Sequence, residues 1–323
     1  MMNKTAFDKV EIRLNAISIG TDDAWALLML LKAEKQLKNV KILAITCVNG
    51  NTTVENAIRN TYHILRLLDR NDIPIYKGAK EPLITRPLKN DYFHGLNGMA
   101  DIDFWNPKYP TDEKELVQPE SAAQIIRDLV MQYPNKISLI GLGPLTNFAL
   151  AVKMYPEISD RVKDIYLMGG NHKGQGNITS CAEYNFYLDA EGAHIVLNSF
   201  KCPINIIPWE TCIESPMSLE WRFETFKGAH SPAVQLLNEA DKIVYRKSKF
   251  FCPCDAYAIA AFLFPDKCIK KRNSIYVSVE IQGDKTRAQM ILDHRRKIEP
   301  NATIFEQMNA QEIQNAIYWT GMA

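Results

Sequence analysis

The run Ile19-Gly20-Thr21-Asp22-Asp23-Ala24-Trp25-Ala26-Leu27 constrains this chain more than any other segment. A mostly apolar stretch, Ile12 to Ile19, reads as a buried strand, and Gly20 ends it. Thr21 or Asp22 can then cap a helix that starts on Asp23-Ala24-Trp25-Ala26-Leu27-Leu28. Two adjacent carboxylates at a strand-to-helix junction stand where open α/β sheets place their ligands. Taken alone, the pair is more simply an N-cap and a first-turn acid favoured by the helix dipole, so other residues must decide.

The rest of the chain alternates in the same way, as α/β proteins with a mainly parallel sheet do. Strands are predicted over Val40–Val48, Ile73–Tyr76, Ile137–Leu142, Val162–Met168 and Ile204–Pro208. Helices are predicted over Val54–Leu68, Ser121–Gln132, Leu145–Met154, Asp189–Asn198 and Asp255–Leu263, with a helical stretch over about Ser218–Ser248. Residues 78–117 read as loop, and the last clear strands are Ser274–Ile281 and Arg287–Asp293. No linker, repeat or low-complexity tract interrupts the 323 residues, which predicts one domain over 1–323. The expected fold is α/β: an open, mostly parallel, mixed central sheet flanked by helices.

Charge and apolar content narrow the function. The 38 Lys plus Arg nearly balance the 37 Asp plus Glu, so no global field draws the chain to nucleic acid or to an acidic membrane. No stretch reaches the roughly 18–20 apolar residues of a membrane span. Residues 1–13 are too charged for a secretory core segment. Seven irregularly spaced cysteines argue for reduced thiols, and together these features predict a soluble cytoplasmic protein.

Polar residues gather at the strand ends. Val48-Asn49-Gly50-Asn51-Thr52 follows the second strand, and Gly141-Leu142-Gly143-Pro144-Leu145-Thr146-Asn147 follows a later one. The latter lacks the third glycine of a dinucleotide fingerprint and reads as a tight turn with Pro144 opening a helix. Its carbonyls could still ligate a hard cation. Ala182-Glu183-Tyr184-Asn185, shortly after Gly176-Asn177, supplies a carboxylate and two carboxamides suited to sugar hydroxyls. Singly, Glu183 reads as a solvated loop residue and Asp255, in Cys252-Pro253-Cys254-Asp255-Ala256, as an N-cap. Cys252-x-Cys254 has the wrong spacing for a zinc knuckle. With Asp22 and Asp23 these residues form an oxygen-rich set that suits calcium better than zinc.

In this order the motifs resemble the calcium-dependent nucleoside hydrolases, which cleave N-ribosides to ribose and free base. The resemblance runs from Gly20 to about Asp293. Gly20-Thr-Asp-Asp-Ala, Gly50-Asn51, His94-Gly95-x-x-Gly98, Gly143-Pro-Leu-Thr-Asn147, Leu167-Met-Gly-Gly170, Gly176-Asn177, Ala182-Glu-Tyr-Asn185 with Asp189, and Cys254-Asp255-Ala256 carry it. It implies a Rossmann-like sheet, a ribonucleoside substrate, and a homodimer or homotetramer. It also implies that Asp23 and Asp255 ligate calcium by carboxylate and Leu142 by its carbonyl. Asp22 would contact the ribose 2′-hydroxyl, Asn185 the 3′-hydroxyl, and Glu183 with Asn177 the 5′-hydroxyl. Asn51, Met168 and Cys254 would complete the substrate site. An oxocarbenium-like ribosyl group would form as the base leaves, and a calcium-activated water would attack it.

One departure falls where the family's chemistry starts. Family members carry Asp-x-Asp-Pro-Gly or Asp-x-Asp-Ile-Gly, and the second aspartate serves as both ligand and general base. Here the segment is Ala16-Ile17-Ser18-Ile19-Gly20, so Ser18 takes that position. Losing a general base typically slows a reaction by about 10²- to 10⁴-fold. The resemblance therefore implies impaired hydrolysis, or else an inactive homologue that binds ribosides or a protein partner. A nucleotide-binding oxidoreductase is disfavoured by the missing glycine fingerprint. Cys254 stands where many members have histidine, so leaving-group protonation would fall to another group, with His94 a candidate. Trp221, Phe223, Phe226, Tyr245, Phe250 and Phe251 could stack on a base, although helix-face packing is the plainer reading for most of them.

Overall fold

The computed structural model describes residues 11–17, 19–37, 39–85, 92–110 and 112–322. The chain opens with β1 (Glu11–Ile17), α1 (Thr21–Gln36), β2 (Val40–Cys47), α2 (Val54–Leu67) and β3 (Ile75–Lys77). After a long loop come α3 (Ala122–Gln132), β4 (Ile137–Gly141), α4 (Thr146–Met154), β5 (Asp164–Met168), α5 (Tyr184–Leu188), α6 (Ala190–Ser199) and β6 (Ile204–Ile207). Next are α7 (Trp209–Ile213), α8 (Leu219–Thr225), α9 (Pro232–Val244), α10 (Cys254–Leu263) and α11 (Pro265–Cys268). The last elements are β7 (Ile269–Ile275), β8 (Val277–Val279), β9 (Met290–Leu292), β10 (Ala302–Met308) and α12 (Ala310–Gly321).

Among the described residues, eight strands form one sheet in the order β3-β2-β1-β4-β5-β6-β10-β7. All neighbours pair in parallel except β7, which runs antiparallel to β10 at the edge. The order from β3 to β6 is the doubly wound one, and its direction reverses between β1 and β4. The crevice outside their carboxyl ends is therefore the expected ligand position. The mostly parallel, mixed sheet predicted from the sequence is present.

Two helices explain what the sheet is built around. From Ala24 to Leu31, α1 is buried on every side, and α10 is buried from Cys254 to Phe262. A helix that is apolar all round belongs inside a core rather than on a surface. Both start beside the same crevice, so they carry their first-turn acids, Asp22, Asp23 and Asp255, into the interior.

Several local readings differ from the structure. Gly20, not Thr21 or Asp22, occupies the N-cap position of α1, so both aspartates lie inside the first turn. The stretch 218–248 divides into α8 and α9, with Gly228 between them and Pro232 opening the second helix. The strand expected over Ser274–Ile281 divides at Tyr276. There Asn301 Oδ1 accepts the Val277 N–H at 2.7 Å and Asn301 Nδ2 donates to the Val277 carbonyl at 2.9 Å, so β8 leaves the sheet to pair with β9. Finally, β10 and α12 were not expected. In β10 the half-buried Thr303 and Glu306 and the exposed Gln307 interrupt any apolar run, so its pairing with β6 and β7 decides the strand.

A buried ion pair fastens α8 and α9 to α1. Arg222 Nε and Nη2 donate to Asp241 Oδ2 at 3.0 and 2.8 Å, and Trp25 Nε1 donates to the same oxygen at 3.0 Å. Both charged side chains are fully buried. Arg222→Ala leaves the Asp241 charge uncompensated in the core and is expected to lower unfolding free energy by about 3–5 kcal/mol. Replacing both Arg222 and Asp241 by leucine is expected to be less damaging than Arg222→Ala alone. Urea unfolding of the three proteins checks the order.

Candidate active site

Loop His94–Asp101 closes over the first junction. Gly98 has φ +81°, and a Cβ there would lie 2.6 Å from the Ile19 carbonyl, so only glycine allows the approach. Thr52 Oγ1 donates to the Leu96 carbonyl at 2.7 Å and Asn60 Nδ2 to the Asn97 carbonyl at 2.8 Å. These bonds seat His94, which is buried rather than solvated. Its Nδ1 accepts the Thr21 N–H at 3.2 Å, which leaves the proton on Nε2, 3.3 Å from Asp22 Oδ1. A Cβ on Gly20 would meet both Asn51 and His94 at 2.8 Å, so the junction is packed too tightly for any side chain.

Asp23 turns its Oδ2 back to the Gly20 N–H at 2.8 Å and takes Asn51 Nδ2 at 3.3 Å. Asp22, Asp23 and Asp255 bring carboxylate oxygens within 4.8 Å of one another. Burial first, then the Asp22 and Asp23 charges, push the Asp255 carboxyl well above the usual carboxylate range. Its Oδ1 is buried with no hydrogen-bond partner among the described residues. Three clustered carboxylates and one orphaned buried oxygen match the donor set of a hard cation. Asp255 is the second residue of α10, whose N-cap position is held by Pro253, so the N-cap role expected for it is not the one it has.

The opposite side of the crevice is built by α5. Glu183 is its N-cap and is buried, not a solvated loop residue. Its Oε1 accepts the Asn185 N–H at 2.7 Å, and its Oε2 accepts those of Gly170 and Phe186 at 2.9 and 3.0 Å. Burial outweighs these three donors and pushes the carboxyl up to about 7. Asn185 Nδ2 donates to the carbonyls of Leu142 and Met168 at 3.0 and 3.1 Å. Both residues therefore carry structural hydrogen bonds beyond any ligand contact.

These parts enclose a cavity of about 390 Å³. Asp22, Asn51, His94, Leu142, Met168, Asn177, Glu183, Asn185, Cys254 and Asp255 all border it; Asp23 does not, although its carboxylate lies within 4.8 Å of those of Asp22 and Asp255. Ser18 lies outside the described residues. Of the six aromatic candidates, only Tyr245 and Phe250 border the cavity. Phe226 and Phe251 are buried in the core, and Trp221 packs edge-on against Phe226. Phe223 borders no part of it and stacks its ring near the Arg222 guanidinium. The sequence reading missed Phe93, Ile178, Tyr184, Trp209, Ser248 and Lys249. Trp209 lies two residues beyond the end of β6, so the strand-end rule could have found it. Cys252 and Cys254 sulfurs lie 3.8 Å apart on the cavity wall. Contact with Cys254 raises the Cys252 thiol well above its ordinary value, and contact with Cys212 does the same for Cys254, with burial adding to each. They are neutral thiols, unsuited to nucleophilic attack.

Removing one charge from the cluster separates its electrostatics from its cation binding. Asp255→Asn is expected to raise the melting temperature in chelator and to abolish any rise produced by divalent cation, as read by thermal denaturation. Glu183 carries a pH-dependent penalty of opposite sign to a paired carboxylate. Its folded value of about 7 exceeds the unfolded 4.5, so stability is lost as pH rises through that window. Relative to the wild type, Glu183→Gln should therefore gain stability between pH 4.5 and 8, by on the order of 3 kcal/mol. Its lost hydrogen bonds add a constant offset, so urea midpoints at several pH values isolate the slope.

The sequence profile of the inosine-uridine preferring nucleoside hydrolases matches residues 18–315. The inosine-uridine preferring nucleoside hydrolase of Crithidia fasciculata is 30% identical over 282 residues, covering 85% of both chains. The non-specific ribonucleoside hydrolase RihC of Salmonella enteritidis is 32% identical over 278 residues, again 85% of each. In fold, the chain superposes on an inosine-guanosine nucleoside hydrolase with a TM-score of 0.86 at 24% identity, over 96% of this chain and 98% of that one. A plant nucleoside hydrolase, PpNRh1, gives 0.85 at 22% identity, over 97% and 99%. Described residues contain no helix long and apolar enough to cross a membrane. With its profile matched over most of its length and relatives aligned across both chains, this protein belongs to the inosine-uridine preferring nucleoside hydrolase family, hydrolases of the ribonucleoside N-glycosidic bond.

Proposed function

We propose that the chain binds calcium and a ribonucleoside together in the crevice between β1 and β4, and that Ser18 limits its rate of hydrolysis. One observation carries the reading: Asp22 and Asp255, two of three clustered carboxylates, border one cavity with Asn51, Asn177, Glu183 and Asn185 and with the apolar Met168, Trp209, Tyr245 and Phe250. Asp23, Asp255 and the Leu142 carbonyl would hold the ion, which would supply positive charge beside the ribose diol and lower the pKa of a nearby water. Asp22 takes the 2′-hydroxyl, Asn185 the 3′-hydroxyl, and Glu183 with Asn177 the 5′-hydroxyl, while Asn51 lies beside the sugar. Donors and acceptors fixed in this way stabilise charge as it develops on the ribosyl group.

The apolar wall receives the base and keeps water from it. Cys254, a neutral thiol, is a weak donor to a departing base. His94 orients Asp22 through Nε2, so it can protonate a leaving base only after that contact breaks. Seven unpaired cysteines agree with a reducing, cytoplasmic setting. Assembly as a homodimer or homotetramer follows the family resemblance, and a light-scattering mass of 36.8 kDa at all concentrations would count against it.

Ser18 also favours a second reading, an inactive homologue that binds ribosides or a protein partner. Hydrolysis of inosine and uridine, with and without calcium, decides between them. Ser18→Asp is expected to raise kcat by about 10²- to 10⁴-fold in calcium, since it restores base and ligand together. Equal rates for the two proteins would place water activation on another residue. No turnover by either, with riboside binding intact, would leave the second reading standing.

A further inference from the structure

Glu210 is fully buried, borders no part of the cavity, and has no task in the chemistry above. It is the second residue of α7. Its Oε1 accepts the Lys173 and Gln175 N–H groups at 2.9 and 3.1 Å, and its Oε2 accepts the His172 N–H at 2.9 Å. His172 Nδ1 lies 3.4 Å from the same Oε2, and neither ring nitrogen has a hydrogen-bond partner among the described residues. Successive N–H groups turned onto one carboxylate form a nest, and Gly174, at φ +75°, allows the reversal.

This nest sets a loop whose other end is already fixed. Glu183 holds Gly170, and Asn171 Oδ1 accepts the Met290 N–H at 3.0 Å. Beyond the nest, Asn177 N donates to the Ala182 carbonyl at 3.1 Å. Asn177 itself is exposed at the cavity mouth, so burial does not fix its direction. Its backbone is set from both sides, by the 172–175 turn before it and by the Gly176, Asn177 and Ile178 N–H bonds to the Ser180 and Ala182 carbonyls after it. Bonds to a charged acceptor are the strong ones, and here three converge on one side chain.

We propose that Glu210 is a positioning residue for substrate recognition: it holds the 172–175 turn so that Asn177 faces the ribose 5′-hydroxyl. The inference rests on the reading in which Asn177 and Glu183 hold that hydroxyl.

Calorimetric binding of an iminoribitol and its 5-deoxy counterpart, in calcium, tests it in the wild type, Glu210→Ala and Glu210→Gln. The wild type is expected to prefer the 5-hydroxyl form by about tenfold, of which the neutral hydrogen bond to Asn177 supplies about fivefold and Glu183 the rest. Glu210→Ala should reduce that preference to about twofold or less while leaving affinity for the 5-deoxy form unchanged. Amide exchange at 172, 173 and 175 should accelerate in parallel. Glu210→Gln keeps one carbonyl acceptor and should fall between the two, and it carries the test if the alanine variant does not fold. A preference kept in both variants, or an equal loss for both ligands, overturns the role of Glu210 alone. A wild type that binds both ligands equally overturns the 5′-hydroxyl reading and this inference with it.

Discussion

Three carboxylates pressed together at the ends of two buried helices set the terms for the rest of the molecule. Neither α1 nor α10 has a polar face, so each can exist only inside the core, and each brings acid with it. The partial positive charge of the two N-termini offsets some of the repulsion, and the Gly20 N–H and Asn51 take more of it from Asp23. Asp255 Oδ1 is left over. An interior that keeps an unsatisfied oxygen beside two like charges is shaped for something positive, and the hydrophobic packing of the two helices holds that shape.

Around the cluster, the same atoms serve structure and recognition. Asn185 Nδ2 joins the ends of β4 and β5 through two carbonyls while its side chain borders the cavity. Glu183 caps α5, pins Gly170 and faces the same space. In and beside the His94 loop, Tyr92, Ala100 and Asp101 are held at positive φ, local strain that persists because Thr52, Asn60 and the first junction over-determine it, while Gly95 and Gly98 adopt positive φ at no such cost. Rigid support of this kind lets a site distinguish hydroxyls that differ only in position.

Most of the sheet and the acid cluster were legible in the sequence, because both follow from local pattern. Apolar runs broken by glycine marked β1, β2, β4 and β5, and the strand-end rule pointed to Asp22, Asn51, Leu142 and Met168. What stayed hidden depends on long-range partners. Glu183 caps α5 through its own Asn185 and Phe186 N–H groups, but the Gly170 N–H that also folds back onto it is thirteen residues away, and His94 meets Asp22 from more than seventy residues along the chain. The aromatic candidates divided between core and cavity according to how α8 and α9 pack on Trp25, which no spacing in 218–251 encodes. Ser18 is the reverse case: its meaning came from the sequence resemblance, not from geometry.

The position of β10 has a consequence for how the chain reaches this state. It lies between β6 and β7, and β7 has no other neighbour in the sheet among the described residues. During synthesis, the strands through β6 can align as they emerge, but β7 must wait about thirty residues for the strand that joins it. Until then β6 presents an open edge of parallel sheet, of the kind that recruits strands from other chains. Closure of the sheet is therefore a late event governed by a half-polar segment.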